Sequence, residues 1–224
     1  MATFAVVDHS RELNRGRLEP FLGRHRVVDV WAPDADFPTE IDAAIVMGGF
    51  MGAYEEDEHP WLRVEKAWLE KLVGADTPVL GICLGSQLLA DALGGRAYLA
   101  DKPEVGVVEI TLTEAGRRHP VARWLGEGAY FAHRDTFDLP PGAVLLAETD
   151  LYPAAFELGS ALALQPHPEV DAYEAIRWAD HPDFDLIEAA GMTKGEYLAG
   201  IEAHAARGER AALSLFAAWF DRFS

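Results

Sequence analysis

The chain has 224 residues, half of them hydrophobic, which suffices to bury one substantial core in a single domain. Its 19 Lys and Arg residues against 37 Asp and Glu residues give a net charge of −18, which would repel nucleic-acid phosphates and anionic membrane surfaces, so neither is expected as a partner. One cysteine excludes an intramolecular disulfide framework and a cysteine-based metal cluster, and the absence of a signal-peptide pattern predicts a cytoplasmic protein.

Short β-branched segments alternate with helical patterns through the first half of the chain. The predicted strands are residues 3–7, 26–31, 43–47 and 78–83. Between the last two, Trp61, Val64, Trp68 and Leu72 recur at helical spacing after Pro60, which predicts a crossover helix. This rhythm is typical of a parallel sheet with helices on its faces.

The middle of the chain reads as consecutive strands, some of them antiparallel, before a helical tail. These strands are predicted at residues 105–113, 129–131, 143–148, 154–158 and 161–165. Asp171 with Glu174, and Thr193 with Glu196, have the spacing of helix N-terminal caps. The last helix carries an apolar stripe that we expect to pack on the body. We therefore predict one domain over 1–224, with a core at about 1–180 and a helical tail at about 181–224.

The segment around Cys83 follows an apolar strand and opens a helix. Gly81 and Gly85 flank Cys83 at two residues on either side, the pattern of a nucleophile elbow with Cys in place of Ser. The helix N-terminus favours a thiolate, and the free N–H of Leu84 can serve an oxyanion. The alternative is a buried, unreactive cysteine; the two glycines favour the nucleophile.

A cysteine nucleophile requires a base, and His167 ends the apolar strand predicted at 161–165. Glu169 lies two residues further on, so an extended backbone would place both side chains on the same side. Such a carboxylate would orient the imidazole, as in a catalytic triad. Taken alone, this His-x-Glu pair could equally form a surface hydrogen bond.

Together these motifs resemble the class I glutamine amidotransferases, which carry a Gly-x-Cys-x-Gly-x-Gln elbow followed by a His-Pro-Glu segment. Residues 47–52 and 55–62 also resemble segments of that family, although Phe50 and Pro166 depart from its common residues. The resemblance implies a three-layer, flavodoxin-like α/β fold with a mostly parallel sheet. It also makes Cys83 the nucleophile, His167 the base and Glu169 the acid that orients it.

Further roles follow from the resemblance alone. Gly49 would join Leu84 in the oxyanion hole, and Gln87, His133 and Asp135 would bind the substrate. The separate alternative for His133 and Asp135 is a loop held by local hydrogen bonds.

The predicted reaction is hydrolysis of the side-chain amide of glutamine through a γ-glutamyl thioester, with no metal or organic cofactor. Three interpretations remain open. The released ammonia passes to a separate synthetase subunit; the protein acts alone as a γ-glutamyl peptidase or hydrolase on a small-molecule substrate; or the fold serves as a non-catalytic regulatory binding module. The complete set of Cys83, His167 and Glu169 favours an enzyme.

Overall fold

The computed structural model describes residues 1–181 and 184–223, and within these residues it contains ten strands and seven α-helices. The strands are β1 (Thr3–Asp8), β2 (Arg26–Trp31), β3 (Ala43–Val46), β4 (Val79–Ile82), β5 (Arg96–Val108), β6 (Thr111–Leu112), β7 (Ala129–Asp138), β8 (Val144–Glu148), β9 (Pro153–Leu158) and β10 (Ala161–Leu164). The helices are α1 (Glu19–Leu22), α2 (Trp61–Gly74), α3 (Leu84–Ala92), α4 (Glu114–Arg118), α5 (Ala172–Ala179), α6 (Leu186–Ala189) and α7 (Lys194–Phe220).

Eight strands form the main sheet, in the order β2-β1-β3-β4-β10-β9-β8-β6. The first five are parallel, whereas β9, β8 and β6 continue the sheet antiparallel. Strands β3, β4 and β10 are buried along their whole length, as expected for parallel strands covered on both faces. The mostly parallel α/β fold is thereby confirmed.

The two faces of this sheet carry separate apolar clusters. On one face Phe4 and Val6 pack in a cluster with Phe216 and Trp219 of α7. On the other face Ala5 and Val7 join the apolar side chains of α2 and α3. Successive residues of β1 thus point to opposite faces, and the result is a three-layer arrangement.

Strands β5 and β7 form a second, two-stranded sheet, which the sequence did not predict. We expected strands at 105–113 and 129–131, but β5 begins nine residues earlier, at Arg96, and β7 extends to Asp138. In the early part of β5 only Ala97 is buried before Glu104, and Leu99 is exposed, so this stretch lacks the apolar alternation that marks a half-buried strand. This sheet packs with α5, α6 and α7 around a third apolar cluster.

Both predicted helix caps are confirmed. The Asp171 side chain accepts a hydrogen bond from the N–H of Glu174 at the start of α5. Thr193 and Glu196 form a reciprocal capping box at the start of α7. Within the predicted tail, residues 182, 183 and 224 lie outside the described residues, and the apolar stripe of α7 packs on the body as expected. None of the described helices is both long and apolar enough to cross a lipid bilayer.

Candidate active site

Cys83 occupies the sharp turn between β4 and α3 that the sequence predicts. Its backbone has φ 52° and ψ −108°, a conformation that costs free energy for a residue with a side chain. A Cβ atom on Gly81 would lie 2.5 Å from the carbonyl oxygen of Gly85, and one on Gly85 would lie 2.2 Å from that of Val46. Glycine is therefore required at both positions for strand and helix to approach.

The turn is tied to the neighbouring strand and to the first turn of α3. The N–H of Cys83 donates to the carbonyl of Leu164 at 2.8 Å, and its carbonyl accepts from the Ser86 N–H at 2.9 Å and hydroxyl at 2.6 Å. Leu84 is the first residue of α3, so its N–H has no acceptor within the helix. That donor is consequently available beside the thiol.

His167 and Glu169 form a buried pair in the segment that follows β10. Because β4 and β10 pair in parallel, with Ile82 opposite Leu164, this segment leaves the same edge of the sheet as Cys83. The Nδ1 atom of His167 lies 2.7 Å from Glu169 Oε1, and both residues are 3 % exposed. The carboxylate therefore fixes the orientation of the ring, and the other ring nitrogen, Nε2, is buried without a hydrogen-bond partner among the described residues.

The electrostatic surroundings of His167 favour a charged imidazolium. Burial lowers the pKa of His167, but electrostatic interaction and hydrogen bonding with Cys83 and Glu169 raise this pKa well above its ordinary value of 6.5. The geometry therefore suits a cysteine nucleophile with a histidine base.

Three further residues hold the His-Pro-Glu segment, and none of them is marked by a motif in the sequence. Arg17 donates from its backbone N–H to the Glu169 carbonyl at 2.9 Å and from its guanidinium to the carbonyl of Val170. The carbonyl of Tyr130 accepts from the His167 N–H at 2.7 Å. The Trp178 ring meets the His167 ring edge-on, with centroids 5.4 Å apart. These contacts join distant parts of the chain, and no local sequence pattern marks them.

The turn formed by Gly48 and Gly49 lies against the side chains of Cys83 and His167. A Cβ atom on Gly48 would lie 3.1 Å from His167 Cε1 and 3.6 Å from Cys83 Cβ. A Cβ atom on Gly49 would lie 2.7 Å from a side-chain carbon of Leu84. The turn therefore brings Gly49 next to Leu84, the two residues predicted to bind an oxyanion.

Cys83, Gly49 and His167 line a common cavity of about 420 Å³. A pocket of this size and lining can enclose a small organic ligand. Phe50 and Trp178 contribute apolar surface to the wall. Arg134, which also lines the cavity, forms an ion pair with Asp185, so a cation and a carboxylate are both present.

The side chains of Gln87, His133 and Asp135 are not among the residues lining this cavity. Gln87 Nε2 donates to the Asp135 carbonyl at 3.0 Å and to Gln165 Oε1 at 3.3 Å. His133 contacts that same carbonyl through Nδ1 and Glu104 through Nε2, while Tyr54 donates to the Asp135 carboxylate at 2.9 Å. Substrate binding by these three residues stays a prediction, and direct contact would require these hydrogen bonds to be exchanged.

One group of possible metal ligands is found among the described residues. Ligand atoms of Glu55, Glu58 and His59 lie within 4.8 Å of one another. None of the three lines the cavity, and the Glu55 carboxylate already accepts a hydrogen bond from the Gly52 N–H. The group belongs to a polar turn at the start of α2.

Comparisons with known proteins agree on one family. The family described as Glutamine amidotransferase class-I matches residues 12–175. The glutamine amidotransferase-like protein YfeJ of Salmonella typhimurium is 34% identical over 168 residues, 71% of this chain and 68% of that protein. A glutamine-hydrolyzing GMP synthase of Thermomicrobium roseum is 38% identical over 130 residues, which cover 56% of this chain but only 23% of that enzyme.

Solved structures with the same fold cover nearly the whole chain. A glutamine amidotransferase of Thermotoga maritima superposes with a TM-score of 0.81 at 26% identity, over 98% of each chain. A glutamine amidotransferase of Methylobacillus flagellatus gives a TM-score of 0.81 at 25% identity, over 98% of this chain and 94% of that one. The similarity therefore includes the long helix α7.

Proposed function

Because the chain belongs to the class I glutamine amidotransferase family, we propose that it hydrolyses the side-chain amide of glutamine, or of a related γ-glutamyl compound, through a thioester on Cys83. One observation carries this proposal. The single thiol of the chain sits on a strained elbow and opens into the same cavity as a buried imidazole that is hydrogen-bonded to a carboxylate.

In the first half of the reaction the Cys83 thiolate attacks the amide carbon of the substrate. The carbonyl oxygen becomes an oxyanion, which the N–H groups of Gly49 and Leu84 stabilise. The intermediate collapses when the C–N bond breaks and His167 Nε2 gives its proton to the leaving amine. The Nε2 atom suits this transfer because no nitrogen or oxygen atom among the described residues holds it, and His167 interacts with the Cys83 thiol itself.

In the second half, water hydrolyses the γ-glutamyl thioester. His167 takes a proton from the water as it attacks; the C–S bond then breaks, and Cys83 leaves as a thiolate beside the protonated His167, which restores the starting pair. Glu169 stabilises the imidazolium at each stage through its 2.7 Å hydrogen bond to Nδ1. The products are glutamate and an amine, which is ammonia when the substrate is glutamine.

The ion pair at the cavity wall suits a substrate that carries a free α-carboxylate and a free α-ammonium group. A γ-glutamyl compound carries an α-carboxylate and an α-ammonium, and Arg134 and Asp185 offer the opposite charges. An arginine guanidinium binds carboxylates well because its N–H groups form a fork. In this proposal the substrate replaces part of the ion pair between Arg134 and Asp185, and Gln87, His133 and Asp135 bind it only after their own hydrogen bonds are exchanged.

Two fates remain for the released amine. A glutamine-hydrolyzing GMP synthase is among the relatives, which supports a synthetase as the receiver of the ammonia. A γ-glutamyl peptidase or hydrolase that acts alone would instead release the amine to solvent. A non-catalytic regulatory role would not require Cys83, His167 and Glu169, so their presence together favours an enzyme.

Glutamate release from glutamine and from γ-glutamyl peptides tests the proposal. We expect turnover by the wild type and none by Cys83→Ala, with a mass increase on Cys83 after rapid acid quenching. His167→Gln should also be inactive, whereas His59→Gln, outside the cavity, should match the wild type. No release and no labelling of Cys83 by a glutamine-like electrophile would contradict an enzymatic function. Turnover that requires a co-purifying protein would identify a synthetase partner.

A further inference from the structure

A buried pair of ionisable side chains lies behind the Gly48–Gly49 turn and takes no part in the steps above. His9 follows β1 directly, and Glu65 belongs to α2. His9 Nε2 is 3.1 Å from both carboxylate oxygens of Glu65, and both side chains are fully buried. The pair therefore joins the end of a central strand to the helix that covers it.

Stability alone is a weak reason for this pair. Moving two ionisable groups out of water costs free energy, and their mutual attraction often does no more than cancel this cost. A protein with apolar residues of similar volume in their place can be equally stable. The His9 Nδ1 atom is also buried without a hydrogen-bond partner among the described residues, which adds to that cost. A function in positioning would account for keeping these two residues.

The packing around Gly49 shows what the pair could position. A Cβ atom on Gly49 would lie 2.8 Å from His9 Cβ and 2.7 Å from Leu84 Cδ2. Gly49 is thus held between the end of β1 and the first residue of α3. On its other side the His9 ring is held by the Glu65 carboxylate, and the Trp61 ring lies 5.6 Å away between centroids.

We propose that His9 and Glu65 are positioning residues that set the place of the Gly49 N–H relative to the Leu84 N–H. The inference rests on the proposed function, in which these two groups bind the oxyanion. Such donors act most strongly when charge develops on the oxygen. Disturbing their spacing should therefore lower kcat and leave KM nearly unchanged.

The test compares Glu65→Leu, which removes the hydrogen bond, with Glu65→Gln, whose amide oxygen can still accept from His9 Nε2–H. Rates are normalised to the fraction of sites that react with a glutamine-like electrophile. We expect Glu65→Leu to lower kcat by about 10- to 100-fold, with KM within about twofold. Glu65→Gln should recover most of that loss. Glu70→Leu, an exposed change on the same helix, is the matched control.

A second readout distinguishes positioning from general destabilisation. Glutamate γ-semialdehyde can add to the Cys83 thiol: the S–C bond forms, the carbonyl π electrons move to oxygen, and the thiol proton passes to that oxygen. The tetrahedral adduct places its oxygen at the two N–H groups. Its affinity should fall in Glu65→Leu by about the same factor as kcat, whereas the affinity for glutamate should not.

Several outcomes would overturn the inference. One is a folded Glu65→Leu protein with the kcat and semialdehyde affinity of Glu70→Leu; another is a loss confined to KM. If Glu65→Leu does not fold, the double variant His9→Leu with Glu65→Leu carries the same test, because it removes both ionisable groups together and leaves no buried charge unpaired. If the wild type and these variants all react with the electrophile and hydrolyse glutamine at the same rate, the positioning role of His9 and Glu65 is contradicted and the proposed function is not. A wild type that neither turns over nor binds the semialdehyde contradicts the proposed function as well.

Discussion

Replacing Gly48 by alanine would place one methyl group between the proposed nucleophile and base. Gly48 is not among the residues with positive φ, so its backbone accepts alanine without the strain that a left-handed conformation would bring. The added carbon would lie at an ordinary van der Waals distance of 3.6 Å from Cys83 Cβ. Its contact with His167 Cε1, at 3.1 Å, is too close. The imidazole is therefore the group that must move.

The size of the effect follows from that distance. Relief of the contact needs a shift of a few tenths of an ångström, but the ring is held by Glu169 at 2.7 Å and by the edge-on contact with Trp178. A misplacement of about 1 Å can cost a factor of about 10² in rate. We therefore expect Gly48→Ala to lower kcat by roughly three- to tenfold, or about 1 kcal/mol in the barrier.

Steady-state glutamate release, together with thermal unfolding, measures this prediction. The free energy of unfolding should change by no more than about 1 kcal/mol, because the lower entropy of the unfolded chain offsets part of the cost of the close contact. Gly74→Ala is the control: it lies at the exposed end of α2 with nothing within 4 Å of the new carbon, so activity should persist. An unchanged kcat in a folded Gly48→Ala protein would refute the idea that this turn limits the position of His167.

Three further results are expected. Glu169→Gln should lower kcat by about 10²- to 10⁴-fold, since the imidazolium loses its carboxylate. NMR titration should show a lower pKa of His167 in this variant. An unchanged pKa would contradict the electrostatic coupling of Glu169 to His167. Burial raises the pKa of the Glu174 carboxyl group, but hydrogen bonds from Arg177 and Trp178 outweigh burial and lower this pKa. The ionised carboxylate therefore stabilises the fold at pH values above its ordinary pKa, and this stabilisation is lost as pH falls through the lowered pKa. Urea unfolding between about pH 5 and 3 should therefore show the advantage of wild type over Glu174→Gln shrinking with acid, and a constant difference would contradict the shift. Arg134→Gln should raise KM for glutamine by about 10-fold with a smaller effect on kcat, because a charge-assisted hydrogen bond to the substrate is lost. The control Arg118→Gln, at an exposed position, should change neither constant. An unaltered KM in Arg134→Gln would contradict substrate binding by Arg134.

The elbow could be predicted because its requirements are local. An apolar strand, two glycines around Cys83 and a following helix specify a turn that depends on neighbours within a few residues, and the structure contains that turn. The helix caps at Asp171 and Thr193 were predictable for the same reason. In each case a side chain or backbone group interacts with residues close to it in the chain.

The second sheet could not be predicted, because it depends on tertiary packing. In the first half of β5 only Ala97 is buried, and the strand conformation comes from pairing with β7. Propensity gives little information where packing against a partner strand decides the structure. The sheet matters for the site because β7 supplies Tyr130, whose carbonyl holds His167.

By itself, the sequence determined the parallel α/β class, the conformation at Cys83 and the possibility that His167 and Glu169 face one another, since each depends on a short periodicity or on steric limits near one residue. Only the tertiary structure decided that Ile82 pairs with Leu164, which brings the two motifs to one edge of the sheet. It also decided that Arg17 holds the Glu169 loop, and that His9 and Glu65 lie behind Gly49. These contacts link residues tens to more than a hundred positions apart, and their geometry is set by packing that no local pattern encodes.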